Sequence, residues 1–595
     1  MTRLLVIGGA SFDVLHLKER TVASAGGAGL YTAMAAWRCG ARAAMFSPRP
    51  DPCPENLQLV AQYLSEWLGP AVDPGQLPQF EISYRGEETE YLKVSLGAEA
   101  ELSPDMLPMD LTTYDHIHVT PLRDAAVQLS FIQACRQRGA KRISAGTYPR
   151  EVDKQPQAVR ELLAHTDCFF LNRMEATALF GSLESANTEP GKVLYVTLGE
   201  QGACIIHGDS RTLIPAVSTT EVDPTGAGDS FCGATLAYLL QNKHPIMAAR
   251  QATALAAEMI AEVGPAALLT GDPPPGAPLD PRVRVNDEQV RTVAEKMSTL
   301  PEVASFSFVS PELPAVGHSK ALEYFFATTL QQFGFWSVRD DRYFRPLIAK
   351  LGGVDQKGSD YLWAAFSRRI EQDPEFCSPE RQANLSRQEL LGVFRADDGR
   401  DPMPALDLHL ELARRYGRDM LALQLTPETV LQEAVSSAQP LQTFLGLLDQ
   451  IGGYKEDPLR KKSSLLAVIL HDRPEKFLPL RPDEQVAPII DYHLMRSCLR
   501  VGLIDVIDEE LRGKLLNRQV VSADEEWAVR YPSYQAVDRI VALSGKSSSA
   551  VDQYFFGARK RCPEMTEPEC GSCELDPVCA HRKGLFQPVL RTSFY

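Results

Sequence analysis

EVDPTGAGDSF (221–231) sets two glycines and two aspartates around a turn of small residues, directly before the apolar run CGATLAYLL. Gly226, Ala227 and Gly228 let backbone N–H groups converge where a helix begins, and the helix dipole adds positive potential there. That is an anion cradle. Asp229 stands at the same turn. A carboxylate there can take a proton from an attacking hydroxyl while the amides stabilise charge on a transferring phosphoryl group. Taken alone, the two glycines would only shape a turn and Asp229 would only cap a helix. The rest of the sequence decides between the two readings.

Outward from this turn, residues 3–265 alternate short apolar runs with helical patterns. RLLVIGG (3–9), HIHVTPL (116–122), CFFLN (168–172) and KVLYVTLG (192–199) suit buried strands of a parallel sheet. GLYTAMAAWRCGA (29–41) and AAVQLSFIQACRQRGA (125–140) suit helices. The repeated order predicts an α/β layered domain. FEISYRGEETEYLKVSLG (80–97) alternates differently and predicts a hairpin over the site. GDPPPGAPLDP (271–281) reads as a linker, and residues beyond it are mostly helical in pattern. The expected division is 1–268, a Pro-rich linker over 269–300, and a helical domain over 301–595.

The string DPTGAGDSF resembles the second signature of the ribokinase/phosphofructokinase-B family of carbohydrate and nucleoside kinases, with Pro224 in place of the signature's Thr. GGASFD is similar to the family's first strand, and AGGAGLYTAMAAWRCGA to its Gly-Gly signature. LNRMEATALF is similar to the family's N-x-x-E segment and VTLGEQGA to its nucleotide-binding turn. The resemblance implies a ribokinase-like fold with ATP and Mg²⁺ as cofactors. It implies Asp229 as catalytic base and Gly226, Ala227 and Gly228 as the anion hole. Asp13, Gly26 and Gly27 would meet the substrate, and Asn172, Glu175, Thr197, Gly199 and Gly202 would serve ATP and Mg²⁺. Two departures stand out. Only 12 residues separate Asp13 from Gly26, shorter than a typical family lid, and Tyr31 stands near the family's usual Asn. A nucleoside acceptor is therefore at least as well supported as a free hexose.

Composition limits the alternatives. At 595 residues the chain exceeds a single core. Its net charge of −16 argues against a general polyanion binder, which needs a basic face. From residue 301 onward there are 36 Lys and Arg against 42 Asp and Glu, so the second half is acidic too. No apolar run approaches the roughly 18 residues of a membrane span. MTRLLVIGGASFD lacks a signal-peptide cleavage pattern, so a cytoplasmic location is expected. Whether the chain forms a homodimer stays open.

Of the 12 cysteines, eight are scattered, as reduced core thiols are. The other four, Cys562, Cys570, Cys573 and Cys579, form C-x7-C-x2-C-x5-C. Four thiols so close can hold a 4Fe–4S cluster or zinc. The spacing resembles the cluster loop of endonuclease III-type, helix-hairpin-helix glycosylases, with one extra residue in the first gap. That resemblance favours the iron–sulfur cluster, with zinc as the alternative.

APIIDYHLMRSCLRVGLI (487–504) is similar to the segment of those glycosylases that carries their catalytic Asp, here Asp491. N-glycosidic cleavage passes through an oxocarbenium-like transition state, which a carboxylate beside C1′ stabilises. Asp491 read alone is equally a helix N-cap. The glycosylase hairpin is not intact, and IGGYKEDPLRKKSS (451–464) resembles a remnant of it. Residues 389–417, 454–470 and 489–506 resemble, in order, segments of the queuosine salvage family, which hydrolyses queuosine 5′-monophosphate. On that resemblance Asp491 is catalytic, Asp397 of FRAD contacts base or ribose, and Lys461 and Lys462 meet the 5′-phosphate. FGFWSVRDDRY (333–343) offers aromatics for stacking on a nucleobase, although such residues more often fill a core.

Together the two halves predict a bifunctional enzyme. A kinase would install a 5′-phosphate on a small nucleoside, and a glycosylase-like helical domain would then release the base. Two other readings stay open: a DNA repair glycosylase joined to a sugar kinase, and a kinase with a non-catalytic helical module.

Overall fold

The computed structural model describes residues 2–17, 20–85, 88–303 and 306–595. The chain separates into two compact units, Met1–Pro278 and Leu279–Tyr595.

Among the described residues of the first unit, nine strands form a central sheet. Their order is Ser210–Ile214, Ala203–His207, Val193–Thr197, Cys168–Asn172, Ile143–Gly146, His116–Val119, Arg3–Ile7, Arg42–Phe46 and Glu66–Leu68. Neighbours are parallel from Val193–Thr197 to Glu66–Leu68, and the remaining edge pairings are antiparallel. Leu4 to Ile7 are fully buried, as continuous apolar runs in a sheet covered on both faces should be. Helices Ala28–Arg38 and Ala227–Leu240 pack against each other. Both are rich in buried alanine, including Ala33, Ala36, Ala234 and Ala237, and they approach closely where Gly233 meets the Thr32 backbone.

A second sheet has four strands in the order Thr21–Gly26, Ser11–His16, Gln79–Arg85 and Glu88–Ser95. The last two are the hairpin expected over 80–97. Thus the short segment between Asp13 and Gly26 is one hairpin of a larger sheet, and distant sequence supplies the other. Asp13 is in register with Phe80 and Ser24, so Asp13 and Phe80 share a face. Ser11, Asp13 and Leu15 are buried while Val14 is exposed.

The second unit is mainly helical. One buried cluster draws on helices Ala321–Thr329, Ser359–Gln372, Leu406–Ala422, Pro440–Leu448 and Lys461–Asp472. Another joins Asp287–Ser298 to Tyr492–Val501, Ala523–Ser544 and Ser548–Ala558. The stretch expected as a linker, 269–300, is only partly one. Val283–Val285 pairs with Ile504–Val506, and Asp287–Ser298 packs on Ala523–Ser544. Val290, Val293, Ala294 and Met297 form a buried stripe at helical spacing, which draws this segment into the core. Among the described residues, no helix is long and apolar enough to cross a membrane.

Candidate active sites

In the first unit, Gly226 caps the helix Ala227–Leu240 in the left-handed region, with φ of 76°. A Cβ added there would fall 2.4 Å from Tyr31 ring carbons, so only glycine admits the ring. Behind the turn, fully buried Asp223 accepts from the backbone N–H of Thr225 at 3.0 Å and of Gly264 at 2.8 Å. Tyr84, from the hairpin, shares a hydrogen bond with the Thr225 hydroxyl. The four-stranded sheet therefore reaches the anion cradle directly.

Asp229 lies in the first helical turn, half-buried, and burial pushes its carboxyl up to about 6. Asp13 is 4% exposed, and burial likewise pushes it up to about 6, against the lowering effect of the neighbouring Ser11 and Phe80. Gly26 lies opposite Ser11, and a Cβ at Gly26 would fall 1.9 Å from Asp13 Oδ2. Gly27 caps the next helix. Asp13, Gly26 and Gly27, expected from sequence to meet the kinase substrate, thus lie together on two paired strands and the helix start that follows them.

Asn172 and Thr197 are register partners at the ends of adjacent strands. Asn172 and Glu175 form a reciprocal capping box: Glu175 Oε2 accepts from the Asn172 backbone at 2.8 Å, and Asn172 Oδ1 accepts from the Glu175 backbone at 2.9 Å. Burial pushes Glu175 up to about 8, with the charge of Asp229 adding. Gly199 and Gly202 shape the turn between Val193–Thr197 and Ala203–His207. This donor set fits Mg²⁺ and a nucleotide. Two carboxyl groups raised by burial lie near a glycine-opened helix start, where a dication and phosphates compensate each other.

In the second unit, Asp491 caps the helix Tyr492–Val501. Its Oδ1 accepts from the backbone of His493 at 2.8 Å and of Leu494 at 2.9 Å. Its field acts on Lys461 and Asp552 as well as on the adjacent Tyr492. Asp552 comes from the helix Ser548–Ala558, which packs on the Asp491 helix. Its Oδ1 is buried and has no hydrogen-bond partner among the described residues. Burial first, and Asp491 second, push Asp552 up to about 8, with Lys461 opposing. Asp491, Asp552 and Lys461 are the group that the structure assembles.

Other expected residues lie elsewhere. Asp397 is exposed, and its two oxygens accept from Gly352 and Gly353 at 3.0 and 2.8 Å, pinning the turn of the hairpin Ile348–Leu351/Val354–Lys357. There it clamps the turn. Lys462 is buried, donates to the Leu330 carbonyl at 2.9 Å and faces the Phe333 ring. Its neighbour Lys461 donates to the Gln332 carbonyl at 3.1 Å and is the lysine that Asp491 influences. Adjacent helical positions point about 100° apart, so only one of the pair can face Asp491. The aromatics of 333–343 are core: Phe333 stacks on His409 with centroids 4.1 Å apart, and Trp336 is covered by Arg591.

The arginines of the Asp491 helix are buried rather than presented to a partner. Arg496 bonds Gln587 at 2.7 Å and His493 at 3.0 Å. Arg500 donates to the carbonyls of Leu585 and Pro563 and to Cys562 Sγ at 3.1 Å. Glu564, one residue beyond Pro563, is buried, accepts from the Tyr343 hydroxyl and lies 3.7 Å from His493. The cysteine-rich segment is thereby tied to the helix that Asp491 starts. All four of its cysteines are half-buried free thiols. Cys573, Cys562 and Cys570 each add to the raised position of the Cys579 thiol, which burial begins. Among the described residues, the ligand atoms of Cys570, Asp576 and His581 converge within 4.8 Å of one another. That is a mixed sulfur, oxygen and nitrogen set, which suits zinc better than a cluster held by four thiolates.

Residues 91–270 match the model of the pfkB family of carbohydrate kinases. Residues 313–464 match the model of the queuosine salvage protein family. The first match includes the anion cradle, Asp229, Asn172 and Glu175, while the second ends before Asp491. The chain is 26% identical over 249 residues to a cytidine kinase of Thermococcus kodakarensis, covering 40% of this chain and 88% of that protein. It is 23% identical over 310 residues to a queuosine 5′-phosphate N-glycosylase/hydrolase of Mus musculus, covering 46% of this chain and 89% of that protein. Among solved structures, a Burkholderia thailandensis nucleoside kinase in complex with inosine is 19% identical, with a TM-score of 0.38, covering 46% of this chain and 94% of that one. The chain is thus an enzyme with a sugar or nucleoside kinase domain, followed by a domain homologous to an N-glycosylase/hydrolase.

Asp552, Asp223, Tyr84 and Glu564 escaped the sequence reading. Asp223 lay in the quoted signature and could have been taken from it. The others carry no local motif and gain their neighbours only through folding.

Proposed function

We propose that the protein acts on one small nucleoside twice, in the cytoplasm: it phosphorylates the ribose 5′-hydroxyl with ATP, then hydrolyses the N-glycosidic bond of the nucleotide. The observation that carries this reading is the pairing of two matches in one chain. A kinase domain makes 5′-phosphates, and the Mus musculus relative is named for a 5′-phosphorylated substrate. The base is a modified purine of the queuine kind.

In the first step Asp229 accepts the proton of the 5′-hydroxyl as that oxygen attacks the terminal phosphorus and ADP leaves. Gly226, Ala227 and Gly228 present backbone N–H groups to the transferring phosphoryl group, and Asp13 holds sugar hydroxyls. Asn172, Glu175, Thr197, Gly199 and Gly202 would hold Mg²⁺ and the nucleotide; the bound metal would neutralise phosphate charge.

In the second step the C1′–N bond breaks and its electron pair goes to the base. Asp552, a carboxylic acid at neutral pH because of its burial, supplies the proton to the departing base. The Asp491 carboxylate stabilises the cationic C1′, orients the water that adds there and accepts the proton that water loses; exchange with solvent then returns a proton to Asp552. Lys461 attracts the 5′-phosphate, whose binding energy selects nucleotide over nucleoside. The products are free base and ribose 5-phosphate.

We further propose that the cysteine-rich segment binds a metal centre that fixes Glu564 against His493. A 4Fe–4S cluster on Cys562, Cys570, Cys573 and Cys579 is the reading drawn from their spacing. Zinc is the second reading, favoured by the Cys570–Asp576–His581 group. An anaerobic visible spectrum separates them: the cluster gives broad brown absorbance and zinc gives none.

The test of the main proposal is mass spectrometry of products after incubation with ATP, Mg²⁺ and a pool of modified nucleosides. Free base appearing together with ribose 5-phosphate supports it. No base release from either nucleosides or their 5′-monophosphates sinks it.

A further inference from the structure

A cavity of about 520 Å³ opens in the second unit between the strand Ile504–Val506, the helix Glu509–Leu516 and the turn 581–585. Its wall carries Arg512, Arg582 and Lys583 against one carboxylate, Asp505. That carboxylate is already neutralised: its Oδ1 accepts from Arg582 at 2.7 Å, and its Oδ2 lies 3.4 Å from Arg284. Arg582 also donates to the Ile504 carbonyl at 3.0 Å, which fixes its guanidinium and leaves it further N–H groups. Among the described residues, Arg512 meets exposed Glu509 at 3.6 Å, a weak pair, and the Lys583 ammonium has no partner.

The wall is fixed by its backbone. Ala580 donates to the Val501 carbonyl at 3.0 Å, Arg582 to that of Arg500 at 3.0 Å, and Leu585 to that of Arg582 at 3.0 Å. Gly502, at φ of 90°, makes this seam possible, since a Cβ there would fall 2.7 Å from that of Ala580. Asp491 starts the helix Tyr492–Val501 and the cavity wall hangs from its other end, about 15 Å away by helical rise.

A concave surface with an excess of fixed positive charge concentrates anions. In a chain of net charge −16 that excess is local. Arginine forks match the oxygens of a phosphate, and lysine adds a point charge. The volume suits a small organic ligand rather than a bare ion. Val506, Leu516 and Leu585 give the cavity an apolar side for the carbon part of such a ligand.

We propose that this cavity binds the phosphomonoester of a small organic molecule, at a site separate from that of Asp491. Arg512, Arg582 and Lys583 take the phosphate. The proposal rests on neither reaction proposed above. Sugar phosphates and nucleoside monophosphates both carry the required group.

Lys583 is exposed, so a brief pulse of acetic anhydride on the full chain, read by mass spectrometry, reports its accessibility. Ribose 5-phosphate, adenosine 5′-monophosphate, ribose and inorganic phosphate are each added before the pulse, and exposed Lys350 is the control. At a ligand concentration of about ten times Kd, a phosphate ester should slow acetylation of Lys583 about tenfold. Ribose should have no effect, and Lys350 should not change. Protection by ribose 5-phosphate assigns the site to sugar phosphates; protection by the nucleotide alone assigns it to nucleotides. Arg512→Gln should weaken binding of the protecting ester by about tenfold or more, as loss of one charge-assisted contact implies. Phosphorylation and base release should stay at wild-type rates in that variant. Acetylation of Lys583 unchanged by both esters would overturn the proposal. So would equal protection by inorganic phosphate, which marks a bare-anion site, or undiminished protection in Arg512→Gln.

Discussion

The ring of Tyr31 lies against the backbone of Gly226, so close that a single added carbon would stand 2.4 Å from it. This contact sets the position of the anion cradle relative to the helix that follows Gly27. Gly226→Ala should therefore displace the cradle. A displacement of about 1 Å can lower a rate by roughly a hundredfold. Steady-state kinetics should show phosphorylation reduced on that scale, while base release from a supplied nucleoside 5′-monophosphate continues.

The kinase step should be lost in acid. Asp229 must be unprotonated to accept the hydroxyl proton, and burial places it at about 6. Protonation as pH falls through 6 removes the base. Asp13 titrates in the same range, also near 6, so the acid limb of kcat/KM should steepen beyond one proton. Asp229→Asn should lower the rate by about two to four orders of magnitude.

Hydrolysis should behave in the opposite sense. Asp552 works as an acid and is held at about 8. Its proton is present below that value and lost above it, so base release from the nucleotide should decline as pH rises through 8. Asp552→Asn should reduce the rate and flatten this alkaline limb. A limb unchanged in the variant would assign it to another group.

Arg530 holds Asp457 through two hydrogen bonds of 2.8 Å, and both side chains are buried. Asp457 also accepts from the backbone of Leu459 and Lys461, joining the turn after Pro440–Leu448 to the helix that carries Lys461. Its carboxyl sits below the usual carboxylate range, with Arg530 the chief cause offsetting burial. A lowered folded-state value means stability is present above the unfolded carboxylate's range and is lost as pH falls through the folded one. Asp457→Ala removes the two short hydrogen bonds of a buried guanidinium, leaving it Glu526 at 3.9 Å and the Ile490 carbonyl, and should destabilise the unit by about 3 kcal/mol. Denaturant titration measures this directly.

The first unit was legible because its chemistry is local. One eleven-residue stretch places Gly226, Ala227, Gly228 and Asp229 together, and apolar runs mark the strands. The hairpin over 80–97 could be read from its alternation, and the structure adds the partners that make it part of a sheet. The second unit was harder. Asp491 could be read beside a helix start, but Asp552 reaches it only through packing of two helices. Asp397 looked like a ligand because FRAD resembles a motif, whereas two backbone N–H groups occupy its oxygens. Arg496 and Arg500 follow Asp491 on its helix, and burial makes both internal ties to the last segment of the chain. Residues 283–297 read as linker until their valines are seen to complete a core.

The central claim is the order of the two reactions, and Asp229→Asn tests it most directly. The variant is given a nucleoside with ATP and Mg²⁺ in one reaction, and the matching 5′-monophosphate in another, and free base is quantified in both. The account predicts base from the monophosphate at the wild-type rate and almost none from the nucleoside. Base released from the nucleoside at the wild-type rate would contradict it.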